Sequence, residues 1–160
     1  MPKRSSLDGN ILGGGLSEYL VIPAWQIIRM PHDVDMRHAA LTEPLACCIH
    51  SIRKARLKFG DTVVIIGMGI MGYFHVKLAQ MCGARIIVSE TDEEKRKTAI
   101  REGAAYAFDP RQCDVGEEIR RLTDGLGADA VINTIPFKEV WQQAIDTVSY
   151  THLTLPTILR

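Results

Sequence analysis

The apolar positions change rhythm near residue 61. From there, short apolar runs alternate with stretches of helical period. Val63-Val64-Ile65-Ile66 is an unbroken β-branched run closed by glycine, as expected of a parallel strand buried on both faces. The spacing predicts a helix over 70–82, stopped by Gly83, then a strand over 85–90. Asp92 predicts an N-cap for a helix to Arg101, with Glu93 and Glu94 in its first turn and Gly103 beyond its end. A weaker strand over 105–108 and an Asp109-Pro110 turn follow. Val115, Ile119 and Leu122 then mark a helix that ends before Asp124-Gly125. A strand over 129–133 and a helix over 137–145 complete the series. Such alternation with short connections predicts an α/β fold, a doubly wound parallel sheet with right-handed crossovers. The fourth strand is expected beside the first, with its outer edge bare and therefore prone to association.

Upstream the pattern is less regular. Residues 1–14 are polar and glycine-rich, with little to anchor them. Residues 16–22 have strand character, closed by Pro23. Asp35 can cap a helix over 36–41, and Pro44 is expected to interrupt it, because proline lacks an N–H. A second helix is predicted over 45–56, with Leu45, Cys48, Ile49 and Ile52 on its buried face. Composition narrows the class further. Apolar residues at 46% and charged residues at 24% describe a globular chain. Lys+Arg and Asp+Glu stand at 19 each, so no surplus charge points to nucleic acid or a membrane surface. No run approaches the ~20 apolar residues of a membrane span, and no signal peptide is recognisable, so the expected setting is cytoplasmic. The cysteines, Cys47, Cys48, Cys82 and Cys113, show no metal-knuckle spacing and are expected to be buried, reduced thiols.

The chemistry concentrates in Gly67-Met68-Gly69-Ile70-Met71-Gly72, a G-x-G-x-x-G that leaves a strand and opens a helix. In that context Gly67 makes the tight exit, and Gly69 lets backbone approach a pyrophosphate. Gly72 lets the helix pack closely on the sheet. The N–H groups near Ile70 and Met71 then face the anion. Glu90 ends the next strand, where a carboxylate accepts from ribose hydroxyls and disfavours a 2′-phosphate, so NAD is the expected cofactor. Lys95, in the first turn of the following helix, can reach the same ribose.

These features, with Gly14-Gly15-Leu16-Ser17-Glu18-Tyr19, Leu41-Thr42-Glu43-Pro44-Leu45-Ala46, Glu102-Gly103-Ala104 and Gly127 to Ile132, resemble the zinc-containing medium-chain alcohol and polyol dehydrogenases. The sorbitol and threonine dehydrogenase branch is the most similar. The resemblance covers about residues 14–147. It implies an NAD-binding Rossmann domain over 57–147, preceded over 1–56 by the end of a GroES-like catalytic domain and a linking helix. It places Glu43 at the catalytic zinc and Thr134 and Ile135 by the adenine. His50 and His75 have no counterpart at the metal and are expected to be structural. The family's other zinc ligands have no match, so the chain is expected to be a fragment of an oxidoreductase. Residues 148–160 resemble translated adapter sequence and are expected to be a non-native tail. The implied parent is a homo-oligomer that transfers hydride between NAD and a polyol or other secondary alcohol, with zinc assisting. A zinc-free NADPH-dependent reductase and a non-catalytic nucleotide-binding module are the alternatives.

Overall fold

In the computed structural model, residues 18–19 and 21–149 are described, together with the backbone of 153–154. The chain divides into two units, residues 1–39 and 40–160. The first contains a 3₁₀ turn, Ala24–Gln26, and a short helix α1, Met36–Ala39, neither of which buries a residue. Asp35 caps α1 as expected, accepting from the Arg37 N–H at 2.8 Å. The strand expected over 16–22 does not form at Glu18, Tyr19, Val21 or Ile22, and the rest of that segment, with Gly14 and Gly15, lies outside the described residues.

The second unit opens with helix α2, Thr42–Ala55. Pro44 does not interrupt it. The ring sits in the first turn, where the missing N–H has no intrahelical acceptor to lose. The buried face is rotated from the expected one: Cys48, Ser51, Ile52 and Ala55 are buried, and Ile49 is exposed. Small side chains at 48, 51 and 55 let α2 lie close against its neighbour. Arg56 ends the helix in the left-handed region, φ 51°.

The sheet then builds as read. It comprises β1 (Thr62–Ile66), β2 (Arg85–Ser89), β3 (Tyr106–Phe108), β4 (Ala130–Asn133) and β5 (Leu153–Thr154). Helices α3 (Ile70–Met81), α4 (Glu93–Arg101), α5 (Val115–Leu122) and α6 (Lys138–Thr147) connect them. All strand pairs are parallel, in the order β3-β2-β1-β4-β5. Alternate residues of β1 serve opposite faces. Val63 and Ile65 pack with Ile52, Ala55, Val76 and Ala79 of α2 and α3. Val64 and Ile66 pack with Val115, Ile119 and Ala144 of α5 and α6. Asp92 caps α4 through the Lys95 N–H at 3.0 Å, and Asp114 caps α5 in the same way.

The outer edge of β4 is not bare. Val131 and Ile132 pair with Leu153 and Thr154, and Ala128 bridges to Val148. Residues within 148–160 thus supply the last strand of the sheet, because an open parallel edge offers unpaired N–H and C=O groups to any extended backbone within reach. No helix among the described residues is long and apolar enough to cross a membrane. Cys48 is buried as expected, but Cys47 is exposed, and Cys82 and Cys113 are half-buried.

His75 of α3 is fully buried. Its Nδ1 lies 2.8 Å from the Met71 carbonyl, which makes that nitrogen the N–H donor. Nε2 is then a bare acceptor; it and the Ser51 hydroxyl on α2 are buried with no hydrogen-bond partner among the described residues. Burial pushes the imidazole below its ordinary pKa, and the Met71 bond only partly opposes this. The unfolded chain therefore takes up a proton below about pH 6.5 that the folded chain refuses. Stability should fall on acidification from about pH 7.5 to 5.5, at up to ~1.4 kcal/mol per pH unit. Urea midpoints should show this slope for the native chain and a flatter one for His75→Leu. Equal slopes would assign the acid sensitivity elsewhere.

Candidate functional site

The site is built where β1 turns into α3. Gly67 leaves the strand with φ 92°, a conformation that L side chains rarely adopt. A Cβ there would also stand 2.6 Å from Thr134 Oγ1 and 2.8 Å from Ile135 Cγ1. Thr134 is fixed over the turn because its N–H and hydroxyl both donate to the Ile66 carbonyl, at 3.0 and 2.8 Å. The Ile135 N–H donates to Asn133 Oδ1 at 2.9 Å. Gly72 faces the other side of the turn, where a Cβ would fall on the Gly67 carbonyl. Gly69 differs from both. It is exposed, and a Cβ there would meet nothing within 4 Å. The chain's own packing requires Gly67 and Gly72; it does not require Gly69.

Helix α3 starts without a side-chain cap on Gly69. Its first rung runs from the Tyr73 N–H to the Gly69 carbonyl at 2.8 Å. The N–H groups of Ile70, Met71 and Gly72 precede that rung, at the positive end of the helix dipole. The Ile70 side chain is exposed, whereas Met71 packs toward α2, its sulfur 3.9 Å from Cys48 Sγ.

Glu90 lies just past β2 and is 9% exposed. Its Oε2 accepts from the Met68 N–H at 2.7 Å, inside the glycine turn. Its Oε1 accepts from the Asp92 N–H at 2.9 Å and the Thr91 hydroxyl at 3.2 Å. Burial alone would raise this carboxyl's pKa. The donors Asp92, Met68 and Thr91, with the Lys95 charge, together hold it below the usual glutamate value. Lys95 is exposed in the first turn of α4, beside Glu90.

Behind Glu90 lies a network that the sequence did not announce. Arg96 Nη1 donates to the carbonyls of Glu90 and Thr91 at 2.8 and 2.7 Å, and to Asp109 Oδ2 at 3.2 Å. Arg111 Nη2 donates to the Thr91 carbonyl and to Asp109 Oδ2 at 2.8 Å. The Arg111 guanidinium, aided by its own N–H and by Arg96, holds the buried Asp109 carboxyl well below the usual carboxylate range. An acid at the end of a strand, with arginines in the two adjacent helical and loop segments, was the available signal.

The structure thus gathers Gly67, Gly72, Thr134 and Ile135 at one point and ties Glu90 to the same turn, with Lys95 alongside. Glu43 is not part of that cluster. It is exposed in the first turn of α2, and its hydrogen-bond partner among the described residues is Cys47 Sγ at 3.4 Å. That bond also raises the Cys47 thiol pKa. A catalytic zinc takes three protein ligands, and no group of three His, Cys, Asp or Glu side chains able to hold a metal occurs among the described residues. Glu43 and Cys47 alone do not make such a centre.

Residues 69–151, more than half of the chain, match the family described as zinc-binding dehydrogenase. The sorbitol dehydrogenase of Halalkalibacterium halodurans is 35% identical over 140 residues, covering 86% of this chain and 41% of that protein. The L-threonine 3-dehydrogenase of Pyrococcus furiosus is 31% identical, covering 85% and 39%. Among solved structures, a protein of Sinorhizobium meliloti 1021 described as a zinc-binding dehydrogenase and bound to NADP superposes with a TM-score of 0.75. It is 32% identical and covered over 43% of its length, against 87% of this chain. The chain belongs to the zinc-binding dehydrogenase family. It spans about two-fifths of the length of the curated relatives it matches.

The two glycines of α3's approach should respond oppositely to the same change. Gly72→Ala is expected to cost on the order of 2–4 kcal/mol, because backbone must move to admit the methyl. Gly69→Ala should change stability by less than about 0.5 kcal/mol. Chemical denaturation of both variants measures this, and similar losses at the two positions would refute the division.

Proposed function

We propose that this chain is the dinucleotide-binding part of an NAD-linked alcohol or polyol dehydrogenase. The carrying observation is Gly69: the open glycine at an uncapped helix start, which nothing in the chain's own packing explains. A pyrophosphate resting on the N–H groups of Ile70, Met71 and Gly72 supplies the reason, since it needs the space a Cβ would take. Glu90 would present its remaining acceptor position to the adenosine ribose, with Lys95 on the same rim. Thr134 and Ile135 would wall the adenine side.

When bound, the nicotinamide accepts or gives a hydride. This chain's residues hold the other end of the molecule: they bind the anion, orient the ribose and keep the turn rigid. Glu43 would contribute one donor to a zinc ion. The described residues do not assemble that centre. An alcohol substrate, a homo-oligomeric parent and a cytoplasmic setting belong to the same proposal. The NADP-bound relative makes NADP the competing cofactor. The buried, ionised Glu90 favours NAD, because a 2′-phosphate there would meet a like charge.

Calorimetric titration of the chain tests this. NAD should bind more tightly than NADP, and Gly69→Ala should weaken NAD by about tenfold or more while leaving the fold intact. Equal affinity for the two cofactors would remove Glu90 from the ribose site. Unchanged NAD affinity in Gly69→Ala would remove the turn from the phosphate site.

A further inference from the structure

The backbone ladder between β1 and β2 ends one residue too early to satisfy the glycine turn. Its last rung is the Gly67 N–H donating to the Ser89 carbonyl at 2.8 Å. The next donor along the turn is the Met68 N–H, and the backbone of Glu90 does not meet it: the Glu90 N–H faces β3, bonded to the Phe108 carbonyl at 3.0 Å. The Glu90 side chain accepts this donor instead, its Oε2 taking the Met68 N–H at 2.7 Å. The Met68 side chain is also buried, so water is a poor substitute. The carboxylate is itself pinned from behind by the Asp92 N–H and the Thr91 hydroxyl. Its own backbone carbonyl is held by Arg96.

We propose that Glu90 is a positioning residue for the phosphate turn, tying the end of β2 to that turn through a side-chain hydrogen bond that fixes Met68 and so aims the free N–H groups at the start of α3. This role is additional to any contact with ribose and rests on the dinucleotide-binding reading above. It couples the two subsites through one carboxylate: a change at the end of β2 is felt at the anion.

The two roles of Glu90 predict opposite signs with inorganic pyrophosphate, a probe that has no ribose. If Glu90 acts only on ribose, its removal takes a negative charge away from the anion and pyrophosphate binds as well or better. If it positions the turn, Glu90→Ala weakens pyrophosphate by roughly fivefold or more, and Glu90→Gln, which keeps one acceptor oxygen, falls between. Amide exchange of the ligand-free full chain gives an independent readout: the Met68 N–H should exchange about tenfold faster in Glu90→Ala, with Val64 and Val88 unchanged. In the unsubstituted chain, the Met68 amide resonance should follow the protonation of Glu90 on acid titration. A Met68 amide indifferent to both, or pyrophosphate binding unchanged or tightened by Glu90→Ala, overturns the positioning role while leaving NAD binding intact. Failure of the unsubstituted chain to bind either pyrophosphate or NAD overturns the function itself, and the positioning role with it.

Discussion

The whole arrangement depends on one contact between backbones, Gly72 against the carbonyl of Gly67. No side chain fits between them, so α3 begins hard against the end of β1. That closeness sets where Gly67 lies, and Gly67 in turn receives Thr134 and Ile135 from beyond β4. Two connections, β1 to α3 and β4 to α6, thus converge on one short stretch of main chain. The helix end at Ile70 then faces outward with its amides unspent, because everything beneath it is already packed.

β1 to β4, and the place of β4 beside β1, were legible because both faces of β1 are buried. Val63 to Ile66 must then be an unbroken apolar run, and no polar residue can intrude. Asp92 was legible as a cap because its role is local. What escaped the sequence was mostly non-local. Pro44 suggested a break, yet its effect depends on which turn of a helix it occupies, and the true start lies only two residues earlier. The buried face of α2 was misplaced because Ser51 and Ala55 are not conspicuously apolar; what counts there is small size against α3. Asp109 read as half of a turn. Its partners Arg96 and Arg111 stand on either side of it in sequence, and only the fold aims both at one carboxylate.

Within the site, the glycines and the acid were legible as a pattern, and their division of labour was not. Spacing gives three glycines equal standing, whereas the packing separates two that the fold needs from one that it does not. Glu90 and Asp109 share a feature that the pattern hides. Each is a buried carboxylate at the exit of a strand, and each has donors enough to stay ionised. The anions stiffen main chain at the sheet's carboxyl end, where loops would otherwise be free to wander. A rigid rim of this kind limits the ordering cost of gripping a long, flexible ligand.

The pairing of Leu153 and Thr154 with β4 bears on how this chain can vary. A ladder of N–H and C=O groups is blind to side-chain identity but not to count. Substitutions at Leu153 and Thr154 therefore leave the rungs to β4 in place, provided neither becomes proline. A slip of one residue against Val131 and Ile132 is not silent, since it changes which face of the sheet each paired position serves. At these two rungs register is the constrained quantity, and side-chain identity is not.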